Sequence, residues 1–74
     1  MNVAGTEIMP VSMEHGRSLY ALADVARVLG TKTEVLRKRV QRGLTTRPWM
    51  NRKGAMFFSE QQVMGMVVSD RIDE

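Results

Sequence analysis

The sequence predicts a mainly α fold with a small β-hairpin, in a single domain of 74 residues. Two apolar patterns of helical period flank Gly30, and a third follows a capping signal at Ser59. Between the second and third patterns the helical period is lost at Pro48, and a turn-prone run ends at Gly54. These observations predict three helices, with one hairpin between the second and the third.

The first part of the chain is predicted to form a flexible arm. It contains Gly5, Pro10 and Gly16 and no lasting hydrophobic period, so at most a short strand around Thr6–Met9 is expected. The sequence thus divides into a flexible arm at residues 1–17, a domain at residues 18–70 and a frayed tail at residues 71–74.

The first predicted helix begins at Leu22. Its apolar residues recur at the spacing of one helical face and are Leu22, Val25, Ala26 and Leu29. Gly30 follows the last of them, and glycine is the residue most suited to the left-handed position that ends a helix. A helix that ends at this glycine is therefore expected.

The second predicted helix begins within three residues of that glycine. Thr31 and Glu34 have the spacing of a capping box, and Thr33 is a competing cap. The helix is expected to run to about Arg42, where Gly43 stops it. Its apolar side consists of Leu36 and Val40 with Val35 beside them, and its polar side consists of Glu34, Arg37, Lys38, Gln41 and Arg42.

A short β-hairpin and a last helix complete the prediction. The turn at residues 51–54 lies between Trp49-Met50 and the apolar run at residues 55–58. Ser59 and Gln62 form a second capping box ahead of a helix expected at about residues 60–69. The inward face of this helix is expected to carry Val63, Met66 and Val67.

The first two helices have the spacing of a helix-turn-helix. Ala26 would lie where the helices cross, Gly30 in the turn, and Leu36 where the second helix returns to the first. Any tight pair of antiparallel helices could show the same spacing. The adjoining basic face favours the helix-turn-helix, because a pair of helices that serves only packing would not need a basic face.

Basic residues are concentrated in one stretch of the chain. Residues 27–53 hold nine basic residues and a single acid, Glu34, so their formal charge is +8. Two basic and seven acidic residues elsewhere give −5, and the whole chain carries +3. A concentrated positive field attracts polyanions and releases their counterions, which is the main sequence-independent source of affinity for nucleic acid.

The side chains suited to DNA contact fall into two groups. Arginine matches guanine or two phosphate oxygens, and glutamine can pair with adenine. The recognition-helix candidates are Thr33, Arg37, Lys38, Gln41 and Arg42. The candidates in the turn and the hairpin are Lys32, Arg47, Asn51, Arg52 and Lys53.

Each of these assignments has an ordinary structural alternative. The helix residues could form a solvated charged face, and the residues at 51–53 an ordinary polar hairpin tip. Arg39 could contact DNA or pack its aliphatic stem. Trp49 could stack on a base, although anchoring in the core is the favoured interpretation.

A set of residues along the chain has a spacing that is typical of one family: the run from Gly30 to Arg37, Gly43-Leu44, Arg47-Pro48, Gly54, and the run from Phe58 to Val63. Through this set, the residues between Leu19 and Val68 resemble the DNA-binding domain of MerR-type regulators and of phage excisionases. It implies a winged helix-turn-helix, with the second helix in the major groove and the hairpin as a wing along the neighbouring backbone or minor groove. The chain ends soon after the third helix, which makes the small excisionase-like proteins the closer comparison.

Catalysis, metals and cofactors are not expected. The chain has no Cys, its one His, His15, lies in the predicted arm, and its acids are scattered singly. No run approaches the length of a membrane span, so a cytoplasmic protein without a membrane partner is expected, associated with the nucleoid or present in a phage-infected bacterial cell.

The sequence therefore predicts a sequence-specific binder of double-stranded DNA. Its expected role is that of a small transcriptional regulator or an excisionase-like architectural factor, acting as a homodimer or cooperative oligomer on DNA. The alternative is an adaptor that binds a recombinase, a repressor or a polymerase through its last helix. Binding of single-stranded nucleic acid ranks third, because the chain has few aromatic residues.

Overall fold

The computed structural model describes the backbone of residues 1–72 and the side chains of residues 1–69, and these form an α+β fold. Three helices and six strands follow one another in this part of the chain. In order they are β1 (Asn2–Val3), β2 (Thr6–Glu7), β3 (Ser12–Glu14), β4 (Arg17–Ala21), α1 (Leu22–Val28), α2 (Thr33–Gln41), β5 (Trp49–Met50), β6 (Met56–Ser59) and α3 (Glu60–Ile72).

The prediction of a mainly α fold is wrong, because the strands build two antiparallel sheets. One sheet pairs β1 with β2, and the other has the order β3-β4-β6-β5. Two of the hairpin turns consist of Ala4-Gly5 and His15-Gly16, in which both residues have positive φ. Two-residue turns of this kind match the twist of paired strands. Strands of two to five residues are too short to give a clear alternation in the sequence.

The predicted arm at residues 1–17 also needs correction. This segment contains β1, β2 and β3, and it buries Val3 and Ile8 in the main core. The guanidinium of Arg27 on α1 donates a hydrogen bond to the carbonyl of Glu7 at 2.9 Å. The N-terminal segment therefore packs on the rest of the fold, and Arg27, part of the basic stretch, has a structural contact.

The core lies between the four-stranded sheet and the helices. Tyr20 on β4 and Phe58 on β6 are paired neighbours on the inner face of the sheet. They pack with the fully buried side chains of Val25, Leu36 and Val63, one from each helix. The core thus holds all three helices against one sheet face, and Leu36 fixes which side of α2 faces inward.

Both of the first two helices end as the sequence predicts. Gly30 and Gly43 have φ of 69° and 70°. After α1, the amide of Thr31 donates to the carbonyl of Ala26 at 2.9 Å and that of Gly30 donates to Arg27 at 3.1 Å. The same pair of bonds recurs after α2, so each helix closes in a Schellman motif.

The start of α2 differs from the prediction. Neither Thr31 nor Thr33 caps it, because the N-cap residue is Lys32, and no side chain makes a cap hydrogen bond there. The capping box between Thr31 and Glu34 is therefore wrong. Its absence leaves the first amide groups of α2 without a side-chain acceptor.

The hairpin and the start of α3 match the prediction. Trp49 pairs with Phe57 and Met50 with Met56. The capping box that begins α3 is confirmed, because the Ser59 amide donates to Oε1 of Gln62 at 2.9 Å and the Gln62 amide donates to the Ser59 hydroxyl at 3.3 Å.

The predicted end of the chain is corrected in part. Helix α3 continues to Ile72, so residues 71 and 72 of the predicted frayed tail are helical. Residues 73 and 74 of that tail lie outside the described residues. Within the described part of the chain, no helix combines the length and the apolarity needed to cross a membrane.

Candidate nucleic-acid interface

Helix α2 presents its basic residues on one exposed side. Arg37 and Gln41 lie one turn apart, and Lys38 lies one turn before Arg42, which is the C-cap residue of the helix. All four are exposed, whereas Leu36 is fully buried on the other side of the helix. The structure thus brings these four recognition-helix candidates onto one accessible surface, which we call the α2 face.

The polar groups of the α2 face are not used within the fold. Among the described side chains, those of residues 1–69, Arg37, Lys38, Gln41 and Arg42 have no hydrogen bond or ion pair. Ion pairs occur elsewhere in the fold: the N-terminus lies 3.6 Å from Glu7, and Arg27 lies 3.7 Å from Asp24. The α2 face can therefore bind an anion without first breaking a contact.

Arg39 differs from the other basic residues of α2. It makes a polar interaction within the fold and lines a surface groove together with Leu29, Leu36 and Leu44. Both roles considered for this residue, DNA contact and packing of its stem, stay predictions. Its charge does not belong to the α2 face.

The N-terminal end of α2 adds polar groups of a second kind. Lys32 is exposed at the N-cap, and Thr33, the first residue of the helix, is half-buried. The free amide groups of an uncapped first turn and the positive end of the helix dipole both favour an anion. Lys32 and Thr33 therefore lie where a phosphate would be stabilised.

The tip of the β5–β6 hairpin is a hydrogen-bonded turn that carries two exposed basic side chains. The Asn51 side-chain oxygen accepts hydrogen bonds from the amides of Lys53 and Ala55, both at 2.9 Å. The amide of Gly54 donates to the Asn51 carbonyl at 3.1 Å, closing the turn. Asn51 is thus a structural residue of the turn, and the exposed Arg52 and Lys53 are the contact candidates there.

The hairpin tip and Arg47 occupy separate places in the fold. The pairing of β6 with β4 places the tip beyond the end of the sheet at which β4 passes into α1. Arg47 is exposed in the loop between α2 and β5, and its carbonyl accepts a 2.6 Å hydrogen bond from Nε2 of Gln62. The sequence predicts only the capping role of Gln62, because no local pattern indicates a contact between two residues that are 15 positions apart.

Trp49 does not anchor the main core. It is 37% exposed and lies on the sheet face that points away from the helices, where it shares a shallow cavity with Leu19 and Phe57. Its ring centre lies 6.0 Å from that of His15 at the turn between β3 and β4. Leu19, which lines the same cavity, is buried on this outer face and lies outside the main core.

The chemistry available to this surface is the binding of an anion. Among the described residues, no cluster of three or more His, Cys, Asp or Glu side chains could hold a metal ion. The α2 face offers charged donors on a helix that Leu36 holds in the core, and the hairpin tip offers them on a hydrogen-bonded turn. Such groups contact phosphate oxygens and the acceptor edges of bases.

Comparisons of the chain with models of protein families, with curated proteins and with solved structures find no match.

Proposed function

We propose that this protein binds double-stranded DNA through the α2 face. The observation that supports the proposal most directly is the set of exposed basic side chains on one side of α2 that make no hydrogen bond or ion pair among the described residues. Solvated helix faces usually mix acidic and basic residues, so that neighbouring charges compensate. Here Glu34 is the one acid in α2.

The contacts follow from the shape and chemistry of the duplex. The major groove admits an α-helix, and in it Arg37 would pair with guanine or with two phosphate oxygens while Gln41 would pair with adenine. Lys32 and the free amides of the first helical turn would hold a phosphate. Arg52 and Lys53 would contact the backbone beside this groove through the hairpin tip.

The biological role that fits such binding is that of a small regulator of transcription or an architectural factor in recombination. The resemblance of the chain to MerR-type regulators and excisionases supports this direction. We place the protein in the cytoplasm, at the nucleoid or in a phage-infected bacterial cell, because that is where its DNA would be.

The test measures retention of a random and a selected DNA duplex at two or more salt concentrations. Affinity should fall steeply with salt, because each neutralised phosphate releases counterions. Arg37→Ala should weaken binding more than any other single basic substitution. If Arg37 contacts phosphate, the salt slope should also shrink by ~1.

Arg17→Ala is the matched control, because Arg17 is an exposed arginine on β4, away from α2 and the hairpin tip. It removes the same charge and should change binding little. Equal losses of DNA affinity for the two variants would show that the effect comes from net charge and not from the position of Arg37. Lack of any salt-dependent retention would contradict the proposal and favour the adaptor that binds a recombinase, a repressor or a polymerase.

A further inference from the structure

The outer face of the four-stranded sheet, which points away from the helices, carries a cavity with aromatic walls. Trp49 on β5 and Phe57 on β6 are paired neighbours on this face, and the buried Leu19 lies beside them. All three line a cavity of about 370 Å³, which we call the outer cavity. Clefts of ~300–1,000 Å³ that combine apolar walls with a few polar groups are typical sites for organic ligands.

Trp49 is the most accessible of the Phe, Tyr and Trp side chains. Tyr20 and Phe58 are buried in the core and Phe57 is half-buried, whereas Trp49 is 37% exposed. Its ring centre lies 6.0 Å from that of His15, with 45° between the two ring planes, so the two rings are not stacked. A planar ligand can therefore lie against the indole without displacing a stacked partner.

The polar groups of the outer cavity favour a ligand that donates hydrogen bonds. Of the described residues that line it, Glu14 on β3 is the one with a charged side chain, beside the polar Ser12 and Asn51. Among the described side chains, those of residues 1–69, Glu14 makes no ion pair, although Arg17 is its partner in the strand register. A carboxylate accepts hydrogen bonds and repels phosphate. A suitable ligand therefore carries N–H groups on its ring and no phosphate at this point.

Basic side chains flank the outer cavity along β5. This strand contributes Trp49 and Met50 to the cavity. Arg47 is exposed two residues before Trp49, and Arg52 and Lys53 are exposed in the turn that follows the strand. The cations thus lie toward the two ends of β5, with the indole between them. Proteins hold single-stranded nucleic acid by this combination, because a base stacks on the aromatic ring while the backbone follows the positive charges.

We propose that the outer cavity binds an unpaired base of single-stranded DNA, stacked on Trp49 and bonded through an N–H group to Glu14. The phosphates on either side are held by Arg47 and by the hairpin tip with Arg52 and Lys53. The carboxylate selects cytosine over thymine, because cytosine presents an amino group where thymine presents a carbonyl. The choice of DNA over RNA rests on the proposed function, in which the same hairpin tip contacts the duplex.

Trp49 is the only Trp in the chain, so its fluorescence reports on the outer cavity directly. Titration of the full chain with a single strand of ~10 cytidine nucleotides at neutral pH should quench this fluorescence. Trp49→Leu should raise the Kd of a labelled cytidine strand, measured by anisotropy, by ~10-fold or more, because base stacking is lost. Trp49→Phe is the matched control, because it keeps a ring and should bind nearly as tightly as the parent. Thermal melts of both variants show whether each is folded.

Glu14→Gln tests the selection of the base without changing the ring. The parent should bind the cytidine strand more tightly than a thymidine strand of the same length. The ratio of the two Kd values should move toward one in Glu14→Gln, because a neutral amide can also donate to the carbonyl of thymine. Glu60→Gln is the matched control, since Glu60 is an exposed acid outside the outer cavity. It makes the same change of charge and should leave the ratio as in the parent.

Arg37→Ala separates this site from the proposed duplex site. It should weaken duplex binding and leave the Kd of the cytidine strand close to that of the parent, whereas Trp49→Leu should do the reverse. A parent protein that holds the cytidine strand through Trp49 but retains no duplex would overturn the proposed function and support the outer cavity.

Four outcomes would overturn the proposal. A folded Trp49→Leu could bind the cytidine strand as tightly as the parent. Glu14→Gln and Glu60→Gln could change the ratio of Kd values equally. Arg37→Ala could release the cytidine strand when Trp49→Leu does not, which would assign the single strand to the α2 face. Finally, tetramethylammonium could quench Trp49 when the cytidine strand does not, which would make the outer cavity a site for an organic cation.

Discussion

The side-chain amide of Gln62 donates a 2.6 Å hydrogen bond to the carbonyl oxygen of Arg47. The same nitrogen lies 3.2 Å from the hydroxyl of Thr46, and the oxygen of this amide accepts from the backbone amide of Ser59. One side chain therefore caps α3 and holds the loop that carries the chain from α2 to the hairpin. The loop at Arg47 and the entry to the β5–β6 hairpin, whose tip carries Arg52 and Lys53 of the proposed DNA surface, are therefore tied to α3.

Gln62→Ala should lower the free energy of unfolding by about 1–2 kcal/mol, because both the cap of α3 and the contact with the loop are lost. Urea unfolding measures this effect. Gln61→Ala is the control, since Gln61 is exposed and its side chain has no hydrogen bond within the described residues. Equal effects of the two changes would show that the contact with Arg47 contributes nothing.

Replacing Arg52 and Lys53 together with Ala should weaken DNA binding by less than Arg37→Ala and leave the fold unchanged. The turn is held by backbone groups and by the Asn51 side chain, not by the two basic side chains. Mobility shifts and a thermal melt of the double variant provide the two measurements. A loss of affinity larger than that of Arg37→Ala would reverse the proposed hierarchy of contacts.

Asn51→Ala, unlike the double variant, should destabilise the hairpin. It removes the acceptor of two backbone amides in the turn, so the hairpin should lose stability by about 1 kcal/mol. Amide hydrogen exchange of Lys53 and Ala55 reports this loss directly. Unchanged protection of these two amides would contradict the role of Asn51 in the turn.

Leu36→Ala should cost about 2–5 kcal/mol, the usual range for truncation of a fully buried leucine. Leu29→Ala should cost less, although the sequence predicts equal burial for both, because Leu29 is only half-buried at the end of α1. Thermal melts followed by circular dichroism would show which of the two substitutions lowers the stability more. DNA binding should disappear with the cooperative transition in Leu36→Ala, since only packing aligns the α2 face.

The stability of the protein should decline at high pH through Tyr20. Burial raises the pKa of this phenol above its ordinary 10.0, and the charges of Glu60 and Glu7 raise it further. The unfolded chain then loses the proton at a lower pH than the folded protein does. The free energy of unfolding contributed by this group is therefore intact below about pH 10 and falls as the pH rises from there through the folded pKa.

Tyr20→Phe removes the titrating group and keeps the ring. Urea unfolding at several pH values above and below 10 should show a smaller decline for this variant than for the parent protein. Parallel declines in the two proteins would assign the alkaline loss to other groups, such as the lysines.

Local signals predict the parts of this protein whose structure is decided by neighbouring residues. Gly30 and Gly43 end α1 and α2 because the left-handed backbone that closes a helix favours glycine whatever surrounds it. Ser59 and Gln62 cap α3 because both partners lie within one helical turn. The β5–β6 turn forms at the predicted place because the Asn51 side chain accepts hydrogen bonds from two amides that lie close by in the sequence, two and four residues later.

The start of α2 shows the limit of such signals. Thr31 and Glu34 have the right spacing for a capping box, yet Thr31 belongs to the Schellman motif that ends α1. Its amide is bonded to Ala26, so the four-residue connection leaves Lys32 as the N-cap. Two adjacent local motifs compete for the same residue, and the one that closes the first helix is formed.

The sequence by itself determined the helices, the hairpin and the basic segment, because these depend on residue types at short spacing. Only the tertiary structure decided that β3, β4, β6 and β5 form one sheet, since pairing Leu19 with Ser59 joins residues that no local pattern connects. It also decided the burial of Val3 and Ile8 and the place of Trp49, because a side chain is buried only when distant parts of the chain come together over it.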